Sequence, residues 1–408
     1  MRISTLTFQN NAIDQMDQLE AALAKTQSEL ASGKRIQEAA DDPAGMAQVN
    51  QLNVELSASR QYVTNQNVAS ANLTLEEQAL SDATNVLQSA RDLAVQANNA
   101  SLSAAQRQDI ATQLQQQLQQ LVAIGNRTDS NGNYLFSGYA AGTQPFTQTG
   151  NAVSYVGSDG VRQIEISANQ RISGGDTGDS VFMDIPAGNG TFVTSAAAGN
   201  TGTGSIDPGT VVNASQWVPD QYTIAFTSAT QYRITDDTTG QPVALGTDGS
   251  GNPVYTASFT SGDTIAFRGI EVTVNGAPAS GDQFTVAPAG KASAFATLSS
   301  LITTLNSTTL SSAQIASQIG TAIAQIDGAI SHLGVASASV GARLNAVTAA
   351  QSSEQSAQTQ LQASVSQVSD LDYAAAVTQL NTQEVALQAA QQSYASLARL
   401  SLFNYLQG

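Results

Sequence analysis

Apolar residues recur at steps of three and four through both ends of the chain, and at steps of two through its middle. Met16, Leu19, Leu23, Thr26 and Leu30 trace a heptad seam along a first helix. Gly33, in Ala31-Ser32-Gly33-Lys34-Arg35, predicts its end, because glycine leaves a helix more cheaply than it continues one. A polar segment runs to Asp41-Asp42-Pro43, where Asp42 suits a helix cap and Pro43 a first turn. A second helix carries Val49, Leu52, Leu56 and Val63, with polar Ser59 in the seam, then Leu80, Ala83, Leu87, Ala90, Ala94 and Ala97. Alanines at those positions allow another helix to approach closely. Asn98-Asn99 breaks the pattern. Ser103 and Gln106 have the spacing of a capping box, opening a third helix with Ile110, Leu114, Leu118 and Leu121 on its apolar face. Thr128 to Gly132 reads as a turn, and Asn133 to Phe136 as a short strand.

Residues 139–290 alternate apolar and polar side chains. Ala152 to Val156 and Val161 to Ile166 flank Ser158-Asp159-Gly160 and predict a hairpin. Tyr222 to Phe226, Tyr232 to Thr235, Thr264 to Phe267, Ile270 to Val274 and Gln283 to Val286 predict strands, with Asn275-Gly276 as a turn. Segment 187–210 is mostly Gly, Ala, Thr, Ser and Asn and predicts a loop. Helical spacing then returns. It passes through Leu298, Ile302 and Leu305, then Ile315, Ile319, Ile323, Ile326 and Ile330, then Leu361, Val365 and Val368. It ends with Leu387, Ala390, Tyr394 and Leu397.

Composition sharpens this division. Of 32 glycines, 22 lie in 139–290, and eight of nine prolines fall between Pro145 and Pro288. The expected fold class is α+β and multidomain. Long N- and C-terminal helices pair as a coiled coil or helical bundle, and a mostly antiparallel β domain is inserted between them. Pairing is expected because isolated helices are marginal in water. The last 35 residues hold too few large apolar side chains to offset the entropy of ordering them. The extreme termini are therefore expected to be largely disordered in a lone monomer and to fold when neighbouring copies cover them. Exposed positions such as Gln113, Gln115, Gln116, Gln117, Gln119, Gln120 and Gln391-Gln392-Ser393 are uncharged. Such faces suit burial against other subunits at little charge-desolvation cost, and equally suit a solvated glutamine-rich helix.

Charge and candidate chemistry mostly exclude. The net charge is −17 although only 12% of residues are charged. The middle holds 13 acids against 4 bases, and no lysine occurs between Lys34 and Lys291. An acidic chain with no basic stripe argues against nucleic acid and anionic membranes as partners. There is no cysteine, and His332 is the one histidine, so thiol chemistry, disulfides and His–Cys or two-His zinc motifs are excluded. No apolar run reaches membrane-spanning length, and the opening MRISTLTFQNNAIDQM lacks the apolar region of a secretory signal. Asp41-Asp42 and Asp236-Asp237 are paired carboxylates in sequence, but a cap and a turn account for them. No catalytic, cofactor or metal site is expected, and the chain reads as non-enzymatic.

Several motifs together resemble the flagellin superfamily. Leu30-Ala31-Ser32-Gly33-Lys34-Arg35-Ile36 and Ala39-Ala40-Asp41-Asp42-Pro43-Ala44-Gly45 are similar to its connection between first and second helices, and Arg91 to Ala97 to the end of the second helix. Val340-Gly341-Ala342-Arg343-Leu344-Asn345, Asp370 to Ala376, Ala386 to Gln392 and Leu400 to Leu406 resemble the hook–filament junction family of that superfamily, hook-associated protein 3, more than filament flagellins. Tyr134 to Gly138 with Pro145-Phe146 fits the same family. Between Gly269 and Pro288 the likeness to hook-associated β domains is weaker.

The resemblance implies a structural adaptor of the bacterial flagellum, binding hook-associated protein 1, flagellin and copies of itself. It implies a terminal assembly domain of 1–42 plus 364–408, a helical middle domain of 43–175 plus 288–363 with a β-hairpin, and an outer β domain of 186–286. Met16, Leu19, Leu23 and Leu30 are the expected contacts at the first end. Leu387, Ala390, Tyr394, Leu397, Leu400 and Phe403 are those at the second. Export through the flagellar type III channel without a cleaved signal, and a cytoplasmic chaperone on the C-terminal helix, are further implications. A divergent filament flagellin, and less so a secreted adhesin with a helical stalk, remain as alternatives.

Overall fold

The computed structural model describes residues 5–406, and among these six α-helices flank a β-rich centre. Before it come α1 (Thr5–Ser32), α2 (Pro43–Ala97) and α3 (Ala104–Gly125); after it come α4 (Ala294–Leu305), α5 (Ser312–Ser369) and α6 (Tyr373–Leu406). Local chemistry sets their ends. α1 stops before Gly33, whose φ of +71° is left-handed. α2 opens on Pro43, and the Asp42 carboxylate accepts the Gly45 amide at 2.9 Å. At α3 the Ser103 hydroxyl accepts the Gln106 amide at 3.3 Å, and the Gln106 side chain accepts the Ser103 amide at 2.9 Å, which completes the capping box.

Backbone contacts divide the chain into two compact units, Met1–Thr64 with Ala350–Gly408, and Asn65–Ala349. In the first, α1 packs along α6. Ser59, the polar member of the α2 seam, is buried there and donates to Glu354 of α5 at 2.6 Å.

In the second unit α3 packs on α4. Leu80, Ala83, Leu87, Ala90, Ala94 and Ala97 of α2 are buried, as are Ile110, Leu114, Leu118 and Leu121 of α3. Polar bridges connect α2 to α5: Ser337 donates to Glu77 at 2.6 Å, and Arg91 pairs with Asp327. Phe146 and Phe182 lie 5.7 Å apart, Phe182 and Phe136 5.3 Å, and Phe146 and Phe295 4.8 Å, so four rings form one buried cluster. A single π-helical turn, Asp179–Met183, delivers Phe182 to it. The side chain of Asn126, just after α3, exchanges two 2.9 Å hydrogen bonds with the Phe146 backbone.

The two largest sheets of this unit, both antiparallel, share one core. Tyr222–Ser228 lies between Gln231–Asp236 and Gln283–Pro288, and the last pairs onward with Phe192–Ala196. In the second sheet Ile270–Asn275 pairs with Thr264–Phe267, Thr210–Val211 and Ser205–Ile206. Alternation puts Tyr222, Ile224 and Phe226, Val272 and Val274, and Phe284 and Val286 into the shared core.

Three local expectations are corrected. Asn133 to Phe136 is not a strand: Tyr134 alone bridges Thr128, because Phe136 turns into the aromatic cluster and the Ser137 hydroxyl bonds back to the Tyr134 carbonyl at 3.0 Å. The segments 152–156 and 161–166 do not pair with each other. Ala152–Tyr155 pairs with Phe146–Thr149, and Gln163–Ser167 with Gln170–Ser173. The intervening Ser158 is instead held against Gly138, where an added Cβ would lie 2.1 Å from the Ser158 carbonyl oxygen. Segment 187–210 is not a plain loop. It contains Phe192–Ala196, Ser205–Ile206 and Thr210–Val211, anchored in the core by Phe192 and Ile206.

Candidate assembly surface: the clasped terminal helices

The seam positions of α1 face α6 without being sealed. Met16, Leu19, Leu23 and Leu30 on α1, and Leu387, Ala390 and Tyr394 on α6, are all half-buried. Thr26 and Ala376 are buried. Two helices can cover only one side of each other, so the rest of each apolar stripe stays open. The α6 backbone continues helically past Leu397, Leu400 and Phe403, whose side chains lie outside the described residues. Val377, 47% exposed, widens the apolar face of α6 beyond the predicted seam, whereas Val385, 66% exposed, lies on the opposite face. Seam spacing alone does not flag them, because Val377 falls one position and Val385 two positions off the heptad step.

A clasp joins the two ends where α1 and α5 stop. Lys34 and Asp370 form a β-bridge; the Arg35 amide donates to the Ser369 carbonyl at 2.8 Å, and the Leu371 amide to the Gly33 carbonyl at 3.0 Å. The Arg35 guanidinium adds a 2.9 Å bond to the Val368 carbonyl and reaches Asp42 at 3.5 Å. Gly33 is required here by its left-handed backbone; an added Cβ would also lie 2.8 Å from the Tyr373 hydroxyl, the free end of an exposed side chain. Ile36 is buried beneath the turn, against Gly45.

Asp41 organises the same turn. Its carboxylate accepts Lys25 at 2.7 Å and the amides of Gln37 and Glu38 at 3.0 and 3.1 Å. The Lys25 hydrogen bond, followed by those amides, pulls its pKa down to about 2, and Asp41 in turn raises that of Lys25. The Gly45 amide, first, lowers the Asp42 pKa. The other acidic pair acts likewise: Asp236 accepts the amides of Thr238 and Thr239 in a turn. His332 donates from Nε2 to the Ser180 carbonyl at 2.8 Å, a packing contact. Among the described residues no group of three metal-ligating side chains occurs, and no helix is long and apolar enough to cross a membrane.

The half-buried seams thus lie on a frame that ties the first helix to the last. The N-terminal stretch 3–141 matches the bacterial flagellin N-terminal helical region, and 317–406 matches the C-terminal helical region. The crystal structure of Xanthomonas campestris FlgL is 32% identical, with a TM-score of 0.68, over 77% of this chain and 99% of that one. The flagellar junction protein FlgL from Legionella pneumophila is also 32% identical, with a TM-score of 0.68, over 79% and 99%. Flagellar hook-associated protein 3 of Escherichia coli (strain K12) is 32% identical over 185 residues. This chain belongs to the flagellar hook-associated protein 3 family. The match to the Escherichia coli member spans 58% of that protein's length and 45% of this chain. In this member of the family, the motifs around Gly33, Asp41-Asp42 and Asp370 are the two sides of the clasp.

Proposed function

We propose that the chain is a non-enzymatic structural subunit of the bacterial flagellum, an adaptor at the hook–filament junction linking hook-associated protein 1 to flagellin. One observation carries this reading. In a member of this family, the two chain ends form a single clasped helix pair whose apolar seams are only half covered. Open seams of that kind are stabilised by burial against copies of the same subunit and related helices. Met16, Leu19, Leu23 and Leu30 would make these contacts from α1, and Leu387, Ala390, Tyr394, Leu397, Leu400 and Phe403 from α6. Residues 1–42 plus 364–408 serve as the assembly domain and order fully in the polymer. Residues 43–175 plus 288–363 form the helical middle domain. The acidic β region of about 186–286 points outward and keeps the subunit soluble. The chain is exported unfolded through the flagellar type III route, and a cytoplasmic chaperone covers the seam from Leu387 to Leu400 beforehand.

Deleting the gene tests the junction assignment. The expected result is a complete hook with flagellin monomers leaking into the medium. A filament lost without leaked flagellin would point to a filament subunit instead, and unchanged motility would refute a flagellar role. Leu397→Asp tests the seam: it should block assembly while the monomer keeps the helices of its middle domain, and loss of those helices by circular dichroism would count against it.

A further inference from the structure

Glu76, in the middle of α2, is only 2% exposed. One of its carboxylate oxygens, Oε1, accepts the Asp176 amide at 3.0 Å; the other has no hydrogen-bond partner. Asp176 itself pairs with Arg343 of α5, from the Val340 to Asn345 motif. Arg343 also donates to the carbonyls of Gly175 and Ser173, at 3.2 and 3.5 Å. Segment 173–178 is therefore held on one side by Glu76 and on the other by Arg343, and it leads directly into the π-helical turn that carries Phe182.

The charge count is unbalanced. Two carboxyl groups share one guanidinium in a site where the Glu76 side chain is sealed from water. Within α2, neighbouring Glu77 is occupied by Ser337. The cavity beside Glu76, about 350 Å³, is also bordered by Asp129, Glu165, Asp176 and Arg162. Asp129 is bonded within its own turn, and Glu165 pairs with Arg171. Acids thus outnumber bases around Glu76. A buried carboxylate without a matching cation is costly, and the least costly remedy is to keep its proton. Protonation removes the charge that the unpartnered oxygen would otherwise carry with no donor to meet it.

We propose that Glu76, Asp176 and Arg343 form a proton-dependent latch, which holds segment 173–178 between α2 and α5 while Glu76 is protonated and loosens when that proton is lost. Burial, followed by the Asp176 charge, pushes the Glu76 pKa up to about 8, while Arg343 opposes the shift. An acid whose native pKa is raised contributes its full stability below the unfolded pKa and loses it as pH rises towards the native value. The latch is thus closed at acidic and neutral pH and weakens as pH rises through about 8.

Glu76→Gln, made in the full chain, keeps the shape, the acceptor for the Asp176 amide and a donor, but cannot ionise. The melting temperature of the wild type should fall by several degrees relative to Glu76→Gln as pH is raised from about 5 to about 9. Amide exchange in 173–183 should accelerate over the same range in the wild type alone, after correction for the intrinsic pH dependence of exchange. Parallel stability curves for the two proteins would overturn the latch. Should the variant fail to fold, the ¹³C shift of the wild-type Glu76 carboxyl decides directly. A titration midpoint well above the ordinary carboxylate range supports the latch, and one within that range overturns it.

Discussion

Gly33→Ala puts a methyl group at the point where the first helix stops and the two chain ends meet. The backbone there has φ +71°, and the new Cβ would lie 2.8 Å from the Tyr373 hydroxyl. The backbone cannot easily turn away. Its amide is bonded to the Glu29 carbonyl at 2.8 Å, and its carbonyl accepts the Leu371 amide at 3.0 Å. Holding an L-residue in the left-handed region costs about 1–2 kcal/mol. The stiffer unfolded chain returns part of this, about 0.4–1 kcal/mol. The Tyr373 contact adds little, because that side chain is 56% exposed and its hydroxyl end is free to swing. The net expectation is a loss of about 1 kcal/mol. Urea unfolding followed by circular dichroism measures it, and Tyr373→Phe with the double variant separates contact from backbone strain. Without the hydroxyl the nearest ring atom is 3.7 Å away, an ordinary contact, so the coupling should stay below about 0.5 kcal/mol. A Gly33→Ala protein as stable as the wild type would refute the strained turn. Coupling above about 1 kcal/mol would refute a freely moving Tyr373.

Other perturbations probe the remaining layers. Phe182→Ala empties the centre of the four-ring cluster and should cost about 3–5 kcal/mol in a thermal or urea melt; a loss under about 1 kcal/mol would mean the cluster collapses freely. Ser103→Ala removes one half of the α3 capping box and should cost about 1 kcal/mol, whereas Ser101→Ala, outside the box, should cost less. Asp41 has a lowered pKa, so its support of the clasp is full above the ordinary carboxylate range and is lost as pH falls towards about 2. Amide exchange at Gln37 and Glu38 in acid, compared with Asp41→Asn, measures this; equal acid sensitivity in both proteins would contradict it.

The sequence made the helices legible because their ends are written in side chains next to the backbone they satisfy. Gly33, Pro43 and the Ser103–Gln106 pair mark boundaries that the structure keeps, and the alanine-rich stripe of α2 is buried as its spacing predicts. Strands with clean alternation, such as Tyr222 to Phe226, were equally plain. Pairing partners were not. Ala152 to Val156 looked like half of a hairpin with Val161 to Ile166, yet each pairs with its other neighbour, since alternation defines a face and not a partner. Segment 187–210 hid three strands because their anchors, Phe192 and Ile206, are isolated apolar residues among small polar ones. The seam of α1 and α6 could be listed from spacing, whereas the clasp could not. Its bonds run from backbone to backbone, between Arg35 and Ser369 and between Leu371 and Gly33, and leave no periodic trace.

The Arg35 to Val368 bond closes a loop spanning 333 residues. The entropy of closing so long a loop grows only logarithmically, by about 0.6 kcal/mol for each doubling of a flexible segment. Adding or removing a strand pair within 139–290 therefore changes the closure cost by a small fraction of one hydrogen bond. The clasp is nearly indifferent to what the loop carries, so the β-rich region is free to drift in length and sequence while the ends stay under tight constraint.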